Sequence, residues 1–99
     1  MDISELTTHM HEFVRSKGFY EPNSPRKQNP RNLAISLVLE SSEVLEHFQW
    51  SDQIPDRQEL GLELADVALY LMQIASICDI DLEQAILQKL KINKDRHWT

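Results

Sequence analysis

The sequence predicts an all-α fold, a four-helix up-and-down bundle. Apolar residues recur at helical intervals in four segments. No segment shows the period-two alternation of a half-buried strand. Two glycines and four prolines are too few for a many-turned β-protein.

The first helix opens at Asp2-Ile3-Ser4-Glu5, an acceptor at the cap with a carboxylate three residues on. Ile3, Leu6, Met10, Phe13 and Val14 follow on one face, and Gly18 is the expected stop. Glu21 to Pro30 carries three prolines, two asparagines and two bases, which marks a loop. Asn29-Pro30 starts the second helix, with Asn as cap and Pro in the first turn; it runs to about Gln49. Trp50 to Pro55 breaks it. Asp56-Arg57-Gln58-Glu59 repeats the capping spacing and opens a long third helix to about Cys78. Asp79-Ile80-Asp81 is a tight connection, and Asp81 with Gln84 caps a fourth helix running toward Arg96. Short connections favour antiparallel neighbours.

The 99 residues are read as one domain, 1–99, with 41% hydrophobic and 26% charged residues. Such a chain buries about two-thirds of its unfolded surface, so its core is thin and a second copy is expected to help build any deep pocket. Sixteen acids against ten bases give −6, which argues against binding a nucleic-acid polymer but not against a small phosphorylated ligand held through metal. No run approaches about 18 apolar residues, so no membrane span is expected. The acidic N-terminus lacks a signal-peptide core, and a cytoplasmic protein is expected. Cys78 stands alone, which excludes an internal disulfide and a cysteine-rich zinc site; its flanks, Ile77 and Asp79, suggest a buried thiol rather than a reactive one.

The informative feature is where certain acids fall. Each helical residue advances about 100°. With Leu33 at zero, Leu37, Glu40 and Val44 fall within about 40° of it, so Glu40 lies inside the apolar stripe. Glu43 and His47 lie at its edge, and Glu46 on the far side. On the third helix Glu63 heads the stripe of Val67, Tyr70 and Ile74, with Asp66 at its margin. An ionised carboxylate on a buried stripe is costly unless paired or bound to metal. Glu40/Glu43 and Glu63/Asp66 face inward on consecutive helices, and antiparallel packing brings them together. From Glu40 to Asp66 there are eight acids and one base, Arg57, while bases cluster outside. All-oxygen ligands select hard cations, Mg²⁺ or Mn²⁺. The plainer readings are solvated surface pairs or salt bridges to a partner copy.

The segments Asn32-Leu33-Ala34-Ile35-Ser36-Leu37-Val38-Leu39-Glu40-Ser41-Ser42-Glu43-Val44-Leu45-Glu46-His47-Phe48-Gln49-Trp50 and Glu63-Leu64-Ala65-Asp66-Val67-Ala68-Leu69-Tyr70-Leu71 resemble the MazG-type nucleoside triphosphate pyrophosphohydrolases. The Arg31-Asn32-Leu33 entry, the Phe48-Gln49-Trp50 ending and the tail from Lys89 to Arg96 are most similar to its dCTP pyrophosphatase branch. Two departures stand out. Ser41-Ser42 replace small, glycine-containing residues between the glutamates. The tail reads Arg96-His97-Trp98 where that branch tends to have Tyr then Pro.

The resemblance implies hydrolysis of a (deoxy)nucleoside triphosphate, dCTP or a related dNTP, to the monophosphate and pyrophosphate in nucleotide-pool house-cleaning. It implies Mg²⁺ held by Glu40, Glu43, Glu63 and Asp66, in a homodimer or homotetramer with pockets between chains. Related enzymes acting on dUTP or phosphoribosyl-ATP stay open. Glu43, off the stripe centre, is the candidate to orient or deprotonate water. Lys89, Asn93 and Arg96 share one polar face and are candidate substrate contacts, against a merely solvated basic face. Trp50, and less so Phe48, are candidates for stacking on a base. His47, Arg31 and Asn32 are the remaining candidates. His9 and His11 are expected exposed, and Tyr70 in the core with its hydroxyl bonded. The competing classes are a non-catalytic helical interaction module and a di-iron carboxylate bundle. The latter wants Glu-x-x-His pairs, which neither inward pair provides.

Overall fold

A computed structural model describes residues 1–53 and 56–97. Pro55 and Trp98, used above as a helix breaker and as a departure in the tail, lie outside the described residues. Four helices and no strands are present among the described residues: α1 (Ile3–Ser16), α2 (Pro30–Glu46), α3 (Arg57–Ile77) and α4 (Leu82–Asp95). The all-α expectation holds.

Every helix starts where the capping residues put it. Asp2 accepts from Glu5 N at 2.8 Å, Asn29 from Asn32 N at 2.9 Å, Asp56 from Gln58 N at 2.9 Å and Asp81 from Gln84 N at 3.1 Å. Each bond satisfies a backbone donor that the first turn leaves without a partner. The ends differ more from expectation. α2 stops at Glu46, and His47 to Gln49 form turns with backbone bonds three residues back. α1 ends in a Schellman motif: Gly18 takes φ +72°, Phe19 N donates to Val14 O, and Gly18 N donates to Arg15 O. α3 ends in the same motif with an aspartate in the left-handed position. Asp79 has φ +57°, Ile80 N donates to Ala75 O at 2.7 Å, and Asp79 N donates to Ser76 O at 3.1 Å. Asp is among the few side chains that tolerate this conformation.

α3 is the hub. It packs most extensively against α2, then α1, then α4. Glu40 and Glu43, late in α2, meet Glu63, early in α3, while Asn32 and Ser36, early in α2, share a cavity wall with Tyr70 and Gln73, late in α3. The two helices are therefore antiparallel. The core of the single chain is thin, as expected: among apolar side chains only Met10, Val14, Leu33 and Ala75 are buried among the described residues. The outer faces of α2, α3 and α4 leave Val38, Leu45, Leu62, Leu64, Leu87 and Leu90 exposed. The radius of gyration, 15.9 Å, exceeds the roughly 13 Å of a compact 100-residue domain.

Two expectations are corrected here. Cys78 is exposed, at the C-cap of α3 where the helix gives way to a turn. α3 is also long and apolar enough to cross a membrane by length and composition alone. Here it serves instead as the helix against which the other three pack.

Candidate functional site

The stripe geometry brings three of the four expected carboxylates together, while Asp66 is exposed and lies outside that group. Glu40, Glu43 and Glu63 each offer an oxygen within 4.8 Å of the others'. Glu40 and Glu63 are half-buried, and one oxygen of each, Oε2, is buried without a hydrogen-bond partner. Glu43 is exposed. Asp66 belongs to the same electrostatic unit, since its charge acts on both Glu40 and Glu63. His47 Nε2 lies 3.9 Å from Glu63 Oε1, the one basic group against the carboxylates among the described ion pairs.

Crowding shows in the titration. Glu40 is pushed up from 4.5 to about 7, first by a proton shared with Glu43, then by burial and by the charges of Glu43, Asp66 and Glu63. Glu63 is raised too, first by burial, then by Glu43 and Asp66, with His47 opposing. A carboxylate whose pKa is raised in the fold favours the fold while protonated. That contribution is full below 4.5 and lost as pH rises through about 7. The metal-free chain should therefore melt at falling temperature across this window, and Glu40→Gln should flatten the slope. Thermal melts in chelator at stepped pH check this; a stability that rises through the window for wild type contradicts it.

Two buried carboxylate oxygens lacking donors, in a group of three to four acids, fit a hard divalent cation. The donor set is all oxygen, which suits Mg²⁺ or Mn²⁺ better than softer metals.

Beside the carboxylates lies a cavity of about 650 Å³, within the range of small-molecule sites. Asp66, whose charge acts on Glu40 and Glu63, is part of its wall, while Glu40, Glu43 and Glu63 are not. Its apolar lining includes Met10, Phe13, Phe19, Leu33 and Leu69; its polar lining includes Arg26, Lys27, Gln28, Asn32, Tyr70 and Gln73. The loop after α1 forms one wall and is held by its own hydrogen bonds. Ser24, buried, bonds to both N and O of Arg26. Gln28 Nε2 donates to Arg26 O at 2.8 Å, Asn32 Nδ2 donates to Lys27 O at 3.0 Å, and Lys27 Nζ donates to Pro22 O. The Arg26 guanidinium stands 5.7 Å from the centre of the Phe19 ring.

Behind this wall runs a polar chain that links α1, the loop and α3. Gln73 Nε2 lies 2.9 Å from Gln28 Oε1 and 3.2 Å from Tyr20 Oη. Tyr20 Oη lies 2.6 Å from His11 Nδ1, and His11 Nε2 lies 2.7 Å from Ser76 Oγ. His11 is thus half-buried and bonded at both nitrogens, where the sequence suggested exposure; burial lowers its pKa. Tyr70 lines the cavity instead of sitting in the core.

Of the other candidates, Asn32 is in the cavity wall and His47 is at the carboxylates. Arg31 is exposed at the start of α2. Trp50 is 90% exposed, and neither it nor Phe48 borders the cavity. Lys89, Asn93 and Arg96, on and just past α4, do not border it either. Phe19, Arg26, Lys27, Gln28 and Gln73 were not singled out as binding residues in the sequence. The density of Pro, Asn and base in the loop was the one available signal for Arg26, Lys27 and Gln28; Phe19 and Gln73 gave none.

The chain is 42% identical over 77 residues to dCTP pyrophosphatase 1 of Mus musculus and to that of Homo sapiens, a match covering 69% of this chain and 45% of each relative. It therefore spans less than half the length of these relatives. A crystal structure of a pyrophosphatase from Archaeoglobus fulgidus superposes with a TM-score of 0.82 at 28% identity, covering 98% of this chain and 93% of that one. No protein-family model matches the chain.

Proposed function

We propose that this chain is an all-α, MazG-type nucleoside triphosphate pyrophosphohydrolase, and that it hydrolyses a deoxynucleoside triphosphate to the monophosphate and pyrophosphate, with Mg²⁺, or Mn²⁺ in its place. The observation that carries the reading is the meeting of Glu40, Glu43 and Glu63 beside a cavity whose wall includes Asp66. An acidic cluster alone would be a surface accident. An acidic cluster linked through Asp66 to a partly apolar cavity suits a ligand with an anionic end and a ring end.

Glu40, Glu43, Glu63 and Asp66 would hold the cation. When bound, it neutralises triphosphate charge and stabilises the charge that develops as phosphorus is attacked. The chain's own residues do the rest. Glu43, the exposed member of the trio, orients the attacking water and takes its proton. The new bond joins the water oxygen to phosphorus, and the anhydride bond between the α- and β-phosphates breaks. Pyrophosphate departs with the bridging oxygen. Arg26 and Lys27, at the cavity wall, offer positive charge to the phosphates, and Phe19 an aromatic face to the base.

Arg31, Trp50, Lys89, Asn93 and Arg96 stand off the cavity of one chain. In this reading they join a site only through a second copy. The exposed apolar faces of α2, α3 and α4 favour a homodimer or homotetramer, since a lone chain leaves them in water. The proposed setting is the cytoplasm, where dNTPs and Mg²⁺ are at hand.

The test is a panel of nucleotides assayed for pyrophosphate, with and without Mg²⁺, on protein whose mass is fixed by sedimentation. Metal-dependent pyrophosphate release by an oligomer is expected. Release of inorganic phosphate alone, or none from any nucleotide, contradicts the reading.

A further inference from the structure

The polar chain behind the cavity has a fixed direction, and that direction leaves one unused group facing any ligand. It is anchored at the backbone carbonyl of Arg26, which only accepts. The Gln28 side-chain atom 2.8 Å from it is therefore the amide nitrogen, and the other end of Gln28 is an oxygen. The Gln73 atom 2.9 Å from that oxygen must in turn be nitrogen. The same nitrogen reaches Tyr20 Oη at 3.2 Å, so both hydrogens of the Gln73 amide are committed. The Tyr20 hydroxyl accepts from Gln73 and stands 2.6 Å from His11 Nδ1. His11 Nε2 in turn stands 2.7 Å from Ser76 Oγ. Burial lowers the pKa of His11, which favours a neutral ring.

Gln73 is 3% exposed and forms part of the cavity lining. With both N–H bonds held from behind, its remaining capacity is that of an acceptor, the side-chain oxygen. A carboxamide normally turns over to suit a donor or an acceptor; this one is held in one sense by Gln28 and Tyr20. Resting on the nucleotide reading above, we propose that Gln73 is the base-reading residue of this cavity, and that its oxygen selects nucleobases with an exocyclic amino group over those with a carbonyl in the same place. Tyr20 is a positioning residue: it does not border the cavity, and it acts by holding the Gln73 amide. A carbonyl oxygen placed against the Gln73 oxygen leaves two buried acceptors without a donor, and such mismatches cost far more than a lost methyl contact.

The experiment measures kcat/KM for two matched pairs, dCTP with dUTP and 5-methyl-dCTP with dTTP, which differ at position 4 by amino against oxo. The expected result is a preference of at least about tenfold for the amino member of both pairs. Gln73→Leu, close in shape, should bring the amino members down toward the oxo members and collapse the ratio. Tyr20→Phe should shrink the ratio in part, because the amide loses one of its two orienting bonds while Gln28 keeps the other, although no atom at the cavity changes. A purely structural role for either residue would lower both members alike and leave the ratio. If Gln73→Leu does not fold, as judged by its melt, the Tyr20→Phe ratio decides. Wild-type ratios near one, or ratios unmoved in the folded variants, overturn this inference alone. No pyrophosphate from any nucleotide overturns the hydrolase reading and this inference with it.

Discussion

Glu63→Gln is expected to lower pyrophosphate release by orders of magnitude while leaving the metal-free chain at least as stable as wild type. Glu63 heads the α3 stripe, half-buried, with Oε2 lacking a donor and with Glu43 and Asp66 pressing on its charge. Neutralising it relieves that repulsion, so the melt in chelator should not fall. The same change removes an anionic ligand, so added Mg²⁺ should raise the melting temperature less than in wild type. Turnover falls because charge stabilisation held by the carboxylates is the largest catalytic effect this site offers. Glu46→Gln is the control. Glu46 is exposed at the end of α2 and takes no part in the cluster, so it should be near neutral in both assays. Wild-type turnover in Glu63→Gln, or loss of turnover in Glu46→Gln, contradicts the assignment.

Leu33→Ala is expected to cost about 2–5 kcal/mol of stability, a large share of what a chain this small has. Leu33 is 2% exposed, the most deeply buried large apolar side chain among the described residues, on the α2 face that also carries Glu40. It lines the cavity floor beside Gln73 and Leu69, so its loss both empties the core and loosens the α2–α3 contact that brings the carboxylates together. Leu33→Met, which nearly conserves volume, should cost under about 1.5 kcal/mol. Denaturant melts of the two variants check this. Equal and small losses for both would mean that the α2–α3 contact does not depend on this side chain.

The helix starts were legible because each rests on a short local rule: Asp2, Asn29, Asp56 and Asp81 all cap as their spacing predicts. The carboxylate cluster was legible because a helical period of 3.6 fixes which face Glu40 and Glu63 share with Leu33 and Val67. The left-handed stop after α3 was less so, since Asp79 holds a position usually given to glycine. The cavity was not legible. Its walls come from a loop and three helices, and no local period links Phe19 and Gln28 to Gln73. His11 misled for the same reason: its partners, Tyr20 and Ser76, lie nine and 65 residues away. Cys78 misled because its neighbours in sequence, Ile77 and Asp79, say little about burial at a helix end.

The most direct test of the central claim is the product of a single reaction. The purified chain is incubated with dCTP and Mg²⁺, and the phosphorus resonances are followed. The account predicts that dCTP is replaced by dCMP and pyrophosphate in equal amounts, and that chelator stops the change. Appearance of dCDP and inorganic phosphate, or the same turnover in chelator, would contradict it.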